Sequence, residues 1–196
     1  PEGGWSGILE EDARLQSPSP GQVFFGAGIA VSGDNILVAS VGGAPACVFQ
    51  KPSGPEGWTG TVAAIAQLTP SQGLASLSRF GERPALEGDK ALLGSDNNKA
   101  FYYKRAGAQW VSMTETEVLL PDRSPGDKFG YRNALSQGTA LIGAFNDEGV
   151  GSAYLIALNT CDLIVQHPTG LARCEGEQAV FSVVASGTGT LGYQWQ

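Results

Sequence analysis

Short apolar bursts separated by turn residues run along most of the chain. "ILVAS" (36–40), "ALLGS" (91–95) and "ALIGA" (140–144) are continuous apolar runs of strand length. Each is preceded by a glycine turn: "SGDN", "EGDK" or "SQGT". Each is followed by a second apolar stretch: "ACVFQ", "AFYYK" or "AYLIAL". Runs of this kind predict short strands covered on both faces. The Gly-Asp and Gly-Thr turns supply the positive φ that a tight hairpin requires.

The bursts recur in a fixed order. Trp5, Trp58 and Trp110 stand 53 and 52 residues apart, and each is followed ten residues later by Leu15, Leu68 or Leu120. A Pro/Ser/Gly loop comes next ("QSPSPG", "TPSQG", "PDRSPGD"), then a Phe-Gly pair: Phe25-Gly26, Phe80-Gly81, Phe129-Gly130. Ala30-Val31, Ala85-Leu86 and Ala134-Leu135 lie at one constant offset beyond these pairs, before the hairpin. The units run over about 5–57, 58–109 and 110–159. A unit of three or four short antiparallel strands has two apolar faces and cannot bury both alone; stacking copies buries them. A period near fifty with about four strands fits a propeller blade. The expected fold is therefore all-β: a partial β-propeller of three blades of about four antiparallel strands over 1–159. In it Phe would fill the space between neighbouring sheets, and Gly would let backbone pass close by. An ordinary core Phe beside a turn Gly predicts the same burial. Pro84 interrupts the Phe-Gly strand of the second unit, so that strand is an edge, bulged or mispaired.

Composition agrees with a β-rich folded chain. The 196 residues are 42% hydrophobic and 16% charged, with 28 Gly and 11 Pro, which favours a packed core and frequent turns. A net charge of −7 and the lack of a basic stripe argue against nucleic acid or an anionic membrane as partner. No apolar run approaches the roughly 20 residues of a membrane helix. The chain begins at Pro1 and its one methionine is Met113, so it reads as an excised fragment whose missing signal peptide says nothing about secretion.

The stretch "PGDKFGYRNALSQGTALIGAFNDEGVGSAYLIAL" closely resembles the FG-GAP repeat of bacterial secreted proteins and, more distantly, of integrin α-subunit propellers. Phe129-Gly130 takes the place of the "FG", and Gly143-Ala144-Phe145 the place of the "GAP", with Phe145 where the family prefers Pro. The resemblance covers about 5–158. It implies a ring of about seven blades, the rest lying upstream of Pro1. It also implies calcium in some members, through an Asp-x-Asp-x-Asp-Gly loop. The corresponding loops here hold Asp96, Asn97 and Asn98 in one copy and Asn146, Asp147 and Glu148 in another. Neither loop alternates its oxygen ligands as calcium requires, and a solvated hairpin loop is the plainer reading. No other metal or cofactor is implied.

Beyond Asn159 the landmarks stop. "IVQHP", "AVFSVVAS" and "YQWQ" resemble strands A, B and C of an immunoglobulin-like sandwich over 160–196, truncated at Gln196, with Trp195 as the core tryptophan. Val183 stands about where antibody domains carry the strand B cysteine. Cys161 and Cys174 could pair with each other, or Cys174 with a cysteine beyond the chain; either fits an oxidising setting. Cys47, inside "ACVF", reads as a buried free thiol.

Catalytic chemistry is sparse. His167 is the one histidine, and no Gly-x-Ser-x-Gly elbow accompanies it. "GTGTLG" (187–192) matches a dinucleotide fingerprint in letters but lacks the flanking βαβ pattern. Glu10-Glu11-Asp12 and Asp147-Glu148 are adjacent acids of a kind any acidic protein carries. Phe101-Tyr102-Tyr103 alternates within a strand, so at least one ring faces outward or into a neighbour. Arg79, Arg83 and Arg132 lie near the Phe-Gly strands without a recurring acid partner. The expected function is non-catalytic: an extracellular, secreted or cell-surface protein recognising a protein or glycan ligand. The alternative is a polysaccharide-acting enzyme or lectin with its site in the propeller channel. A gathering of carboxylate, Tyr and Arg at that mouth would favour the alternative.

Overall fold

A computed structural model describes residues 10–19, 24–41, 43–75, 77, 79–120, 126–158, 163–166 and 184–186. Its strands, in chain order, open with β1 (Ala13–Leu15), β2 (Phe25–Ser32), β3 (Asn35–Ser40), β4 (Ala46–Gln50), β5 (Gly60–Val62) and β6 (Ala66–Leu68). They continue with β7 (Ala85–Glu87), β8 (Lys90–Ser95), β9 (Lys99–Lys104), β10 (Glu117–Leu119), β11 (Phe129–Ser136), β12 (Thr139–Ala144) and β13 (Ser152–Ala157). The last two are β14 (Leu163–Gln166) and β15 (Val184–Ser186). Among the described residues the one helical element is a 3-10 turn at Asp147–Gly149, and no helix is long and apolar enough to cross a membrane. The chain divides into two compact units, Pro1–Ile156 and Ala157–Gln196.

The first unit holds three small antiparallel sheets. Sheet I has the order β2-β3-β4-β6, sheet II the order β7-β8-β9-β10 and sheet III the order β11-β12-β13. Each opens with its Phe-Gly segment and turns at the glycine hairpin. Ser32↔Asn35, Glu87↔Lys90 and Ser136↔Thr139 are the equivalent closing pairs.

Two details depart from the sequence reading. The stretch after the apolar hairpin does not close the sheet: a short fourth strand does, and it lies beyond the next tryptophan. β6 follows Trp58 and pairs with β4; β10 follows Trp110 and pairs with β9. Sheet and sequence repeat are therefore out of phase, and the segments after Trp58 and Trp110 clasp the preceding sheet. Second, the counterpart of Leu68 is Leu119, buried in β10, and not Leu120, which is 60% exposed. The connection from tryptophan to strand is one residue shorter in that copy.

Pro84 acts as an edge device. β7 begins just after it and keeps only three residues, where β2 and β11 run for eight with a bulge after the phenylalanine. Sheet II loses part of its first strand, yet Gly81 N–H still donates to Gly94 O at 2.9 Å.

The main core lies between sheets I and II. Leu37, Val48, Ala66 and Leu68 of sheet I meet Ala91, Leu93, Phe101 and Tyr103 of sheet II, with Phe80 and Trp110 in the same cluster. A second cluster covers the opposite face of sheet I: Val38, Cys47 and Phe49 pack with Val62, Ala13, Leu15, Phe25 and Trp58. Strand pairing makes Val38, Cys47 and Phe49 the counterparts of Leu93, Phe101 and Tyr103. Trp58 and Trp110 therefore occupy equivalent places. Trp5 lies outside the described residues.

In the second unit β14 pairs antiparallel with β15, Leu163 opposite Ser186. β15 falls inside the segment read as strand B, and β14 overlaps the segment read as strand A, starting one residue before it. The segment read as strand C, with Trp195, lies outside the described residues, as do Cys161, Cys174, His167 and the 187–192 glycines.

Candidate functional site

The Phe-Gly turn is the most regular local feature of the molecule, and it positions the site. The residue before each phenylalanine has positive φ: Phe24 57°, Arg79 56° and Lys128 59°. The following glycine is also positive, with φ 95° at Gly26, 78° at Gly81 and 88° at Gly130. A hydrogen bond closes each turn: Ala27 N–H to Phe24 O, Glu82 N–H to Arg79 O, and Tyr131 N–H to Lys128 O, at 3.1 to 3.2 Å. The phenylalanine points inward onto an aromatic ring of its own sheet. Phe80 meets Phe101 at 5.4 Å and Phe129 meets Tyr154 at 5.5 Å, both edge-on. In sheet I that position is Cys47, so Phe25 reaches Phe49 instead, at 6.1 Å. Phe80 and Phe129 are buried.

The polar residues around this turn converge at the junction of sheets II and III. Arg79 pairs with Glu82 at 3.4 Å and with Asp96 at 3.6 Å. Arg83 pairs with the same Glu82 carboxylate at 3.2 Å. From there Arg83 crosses to sheet III: it donates to the Tyr131 hydroxyl at 3.0 Å, and its guanidinium carbon lies 3.9 Å from the ring centroid. Arg132 approaches the same ring at 5.3 Å, and Phe145 packs edge-on against it at 4.5 Å. Asn133 ties the junction, donating from Nδ2 to Arg83 O at 2.9 Å and to Gly130 O at 3.0 Å.

The acid partners that the sequence did not supply are thus Glu82 and Asp96. Glu82 lies within the turn, three residues beyond Arg79; Asp96 comes from the β8–β9 loop, which pattern alone does not bring back to the first strand. Arg79 and Arg83 are matched by two carboxylates here, and Arg132 at the Tyr131 ring adds one positive charge beyond them on an acidic protein. The side chains of Glu82, Arg83 and Asp96 keep 20 to 25% exposure and that of Arg79 keeps 49%, so water moderates these pairs. The space between them is about 10 Å³, room for about one water, so a ligand would lie over the cluster and not within it.

Four of the calcium candidates, Asp96, Asn98, Asn146 and Asp147, brace their loops. Asp96 is held by Arg79. Asn98, at φ 60°, accepts the Phe129 N–H on Oδ1 at 2.8 Å, fixing the start of sheet III. Asn146 Nδ2 donates to Gly126 O at 3.1 Å. Asp147 is buried and accepts the Tyr154 hydroxyl at 2.5 Å, while Glu148 is exposed at φ 50°. Among the described residues no group of three or more His, Cys, Asp or Glu side chains is placed to hold a metal.

The remaining candidates are core or surface features. Phe101, Tyr102 and Tyr103 are all buried, so none presents a ring to solvent. Burial lifts the Tyr102 hydroxyl to about 12, with Asp89 and Glu117 adding to the rise, and lifts Tyr103 further. Cys47 is a buried free thiol, raised by burial to about 11, which removes it from nucleophilic chemistry at neutral pH. A cleft of about 640 Å³ opens at the hairpin end of sheet I between Asp34, Lys51, Val62, Ile65 and Gln109, but its one acid and one amine form no reactive set.

Residues 113–156 match the family described as FG-GAP repeat. The matched segment contains all of sheet III except its last residue, together with the Phe129-Gly130 turn. No curated protein gives a significant match to the chain.

Proposed function

We propose that the first unit is part of an FG-GAP-type β-propeller, its three sheets being blades, and that it acts as a non-catalytic recognition or adhesion module on an extracellular or cell-surface protein. In this reading the second unit begins an immunoglobulin-like domain. The FG-GAP match and the threefold Phe-Gly turn support the architecture. One observation carries the ligand-facing role: the Arg79–Glu82–Arg83–Tyr131 junction sets guanidinium groups and an aromatic ring at the edge where the Phe-Gly strands meet. Arg and Tyr are the residue types that dominate recognition surfaces. Their excess positive charge suits a protein or glycan carrying carboxylate or sulfate groups.

Binding of the 196-residue chain to an array of acidic glycans and acidic peptides tests this. The expected result is micromolar binding that weakens tenfold or more in Arg83→Ala, with the thermal midpoint of the variant close to wild type. Absence of binding, or binding indifferent to Arg83→Ala, overturns the role.

A second reading, a polysaccharide-acting enzyme, draws support from the same junction, because Glu82, Asp96, Tyr131 and Arg83 gather there. Both carboxylates are already engaged by arginine, which leaves neither free to face a substrate. Release of reducing ends from acidic polysaccharides, abolished by Glu82→Gln, would establish this reading in place of the first.

A further inference from the structure

Sheets I and II end their hairpins in one backbone frame but complete it with different polar partners. Asp34-Asn35 and Asp89-Lys90 are equivalent, as are Gln50-Lys51 and Lys104-Arg105. In each sheet the basic residue's backbone N–H donates to the aspartate's carbonyl: Lys51 to Asp34 O and Arg105 to Asp89 O, both at 2.8 Å. In sheet II the side chains then find partners within the protein. Lys90 holds Asp89 at 2.8 Å, and Arg105 Nη1 donates to Ala108 O. In sheet I the place of Lys90 is taken by Asn35, which carries no charge. Among the described residues neither the Asp34 carboxylate nor the Lys51 ammonium has an ion pair or a hydrogen-bond partner. Lys51 is nonetheless held in place: its Cε lies over Gly57, where an added Cβ would stand 2.8 Å from it.

This free pair borders the cleft of about 640 Å³ at the hairpin end of sheet I. One wall is the rim of that sheet, where Asp34, Gln50 and Lys51 stand with Val62 and Ile65. Ile65 is fixed there by its N–H, which donates to Val48 O at 2.8 Å. The other wall is Gln109, from the connection that leaves sheet II. Gln109 is set between Ala108, which Arg105 binds, and Trp110, which is buried. Both walls lie within the described residues, and the side chains of Gln50 and Gln109 have no hydrogen-bond partner among them. The volume falls in the range of small-molecule sites, roughly 300 to 1,000 Å³. The arginine junction, by contrast, has room for about one water.

We infer that this cleft binds a short neutral oligosaccharide, its hydroxyls bonding to Asp34, Lys51, Gln50 and Gln109. A carboxylate only accepts, an ammonium only donates, and an amide does both. A hydroxyl also does both, so adjacent hydroxyls of a sugar ring match this set. A ligand of one charge sign is disfavoured, because an anion meets Asp34 and a cation meets Lys51. Val62 and Ile65 offer apolar surface to the C–H face of a sugar ring, and Ile65 is 42% exposed. None of the described lining residues is aromatic, so ring stacking adds nothing and the expected affinity is in the millimolar range. The cleft shares no residue with the Arg79–Tyr131 junction, and the inference does not depend on the role proposed there.

NMR titration of the isotope-labelled 196-residue chain with neutral tri- and tetrasaccharides of glucose, mannose, galactose, xylose and N-acetylglucosamine provides the test. At least one probe gives saturable amide shifts at Asp34, Gln50, Lys51, Ile65 and Gln109, while Arg83 and Tyr131 stay unmoved. Asp34→Ala and Lys51→Ala each weaken that binding tenfold or more. Both positions are exposed, so the thermal midpoints remain near wild type. Arg83→Ala leaves the binding unchanged, which separates this site from the junction. Oligogalacturonates and glucosamine oligomers, each of one charge sign, bind more weakly than the neutral probes. No shift with any neutral probe overturns the inference, as does binding that survives both alanine variants. Shifts centred on Arg83 and Tyr131 overturn the cleft as the site, and tighter binding of a charged oligomer overturns the neutral class.

Discussion

At the residue scale the Phe-Gly glycines separate two physical effects that one substitution usually mixes. A Cβ on Gly130 would sit 2.4 Å from Lys99 O, and φ there is 88°. A Cβ on Gly26 meets nothing within 4 Å at φ 95°. Gly26→Ala therefore carries only backbone strain, about 1 to 2 kcal/mol. Gly130→Ala adds a collision with a neighbouring backbone, and the expected loss is about 3 kcal/mol or more; urea denaturation of the two variants checks the difference. Cys47 gives a pH signature. Its folded value, about 11, lies above the ordinary thiol value of 9.0, so the folded state holds its proton more tightly. The stability this represents is complete below pH 9 and is lost as pH rises toward 11, on the order of 2 kcal/mol. Tyr102, raised from 10.0 to about 12, acts in the same direction over a higher window. Urea midpoints between pH 8 and 11 should fall for wild type, and in Cys47→Val the decline should start later, near pH 10. The importance of the glycines was readable from the letters. The positive φ of the residue before each phenylalanine was not, because Phe24, Arg79 and Lys128 share no side-chain property that signals it.

At the element scale the tryptophans act as wedges beside their sheets. Trp110 is 2% exposed and packs in the cluster that joins sheets I and II, so Trp110→Ala removes apolar contact from both. The expected loss is about 3 to 5 kcal/mol. Trp58 is equivalent in place but only half-buried against the Val38–Phe49 cluster, and Trp58→Ala should cost about half as much. Parallel urea titrations of the two variants measure the ratio, and equal losses would contradict the unequal burial. The hairpins were legible because the glycine turns and apolar runs mark them directly. The fourth strands were not: "AQL" and "EVL" are three residues long, too short for any period, and they lie across the tryptophan that marks the repeat. Coverage was legible for "ILVAS", whose last four residues are buried, but not for "ALIGA", where Leu141 is exposed. An apolar run tells that a strand is suited to cover on both faces. Whether a neighbour supplies that cover depends on the number of units stacked, which no single run encodes. The Arg–carboxylate junction escaped for a related reason, since Asp96 reaches Arg79 only through the β8–β9 hairpin.

At the scale of the whole array, stability should follow the number of neighbours each sheet has. In a stack held by nearest-neighbour contacts, an inner element gains two interfaces and an end element one. Sheet II has sheet I on one face and sheet III on the other. Its central strands show the result: β8 and β9 have four or more consecutive buried residues each. Among the described residues sheet III is covered on one face only, so β12 alternates buried and less buried positions and β13 has no fully buried position among Ser152–Ala157. Sheet I is intermediate, since β1, β5 and Trp58 cover part of its outer face. Local opening of an end sheet disrupts one interface, whereas opening of sheet II disrupts two, and amide exchange reads that difference as protection. Native-state hydrogen exchange at low protein concentration should therefore rank β8 and β9 slowest, β3 and β4 next, and β12 and β13 fastest. Uniform protection across the three sheets would mean that the unit opens as one body, and nearest-neighbour stacking would then be the wrong account of what holds it together.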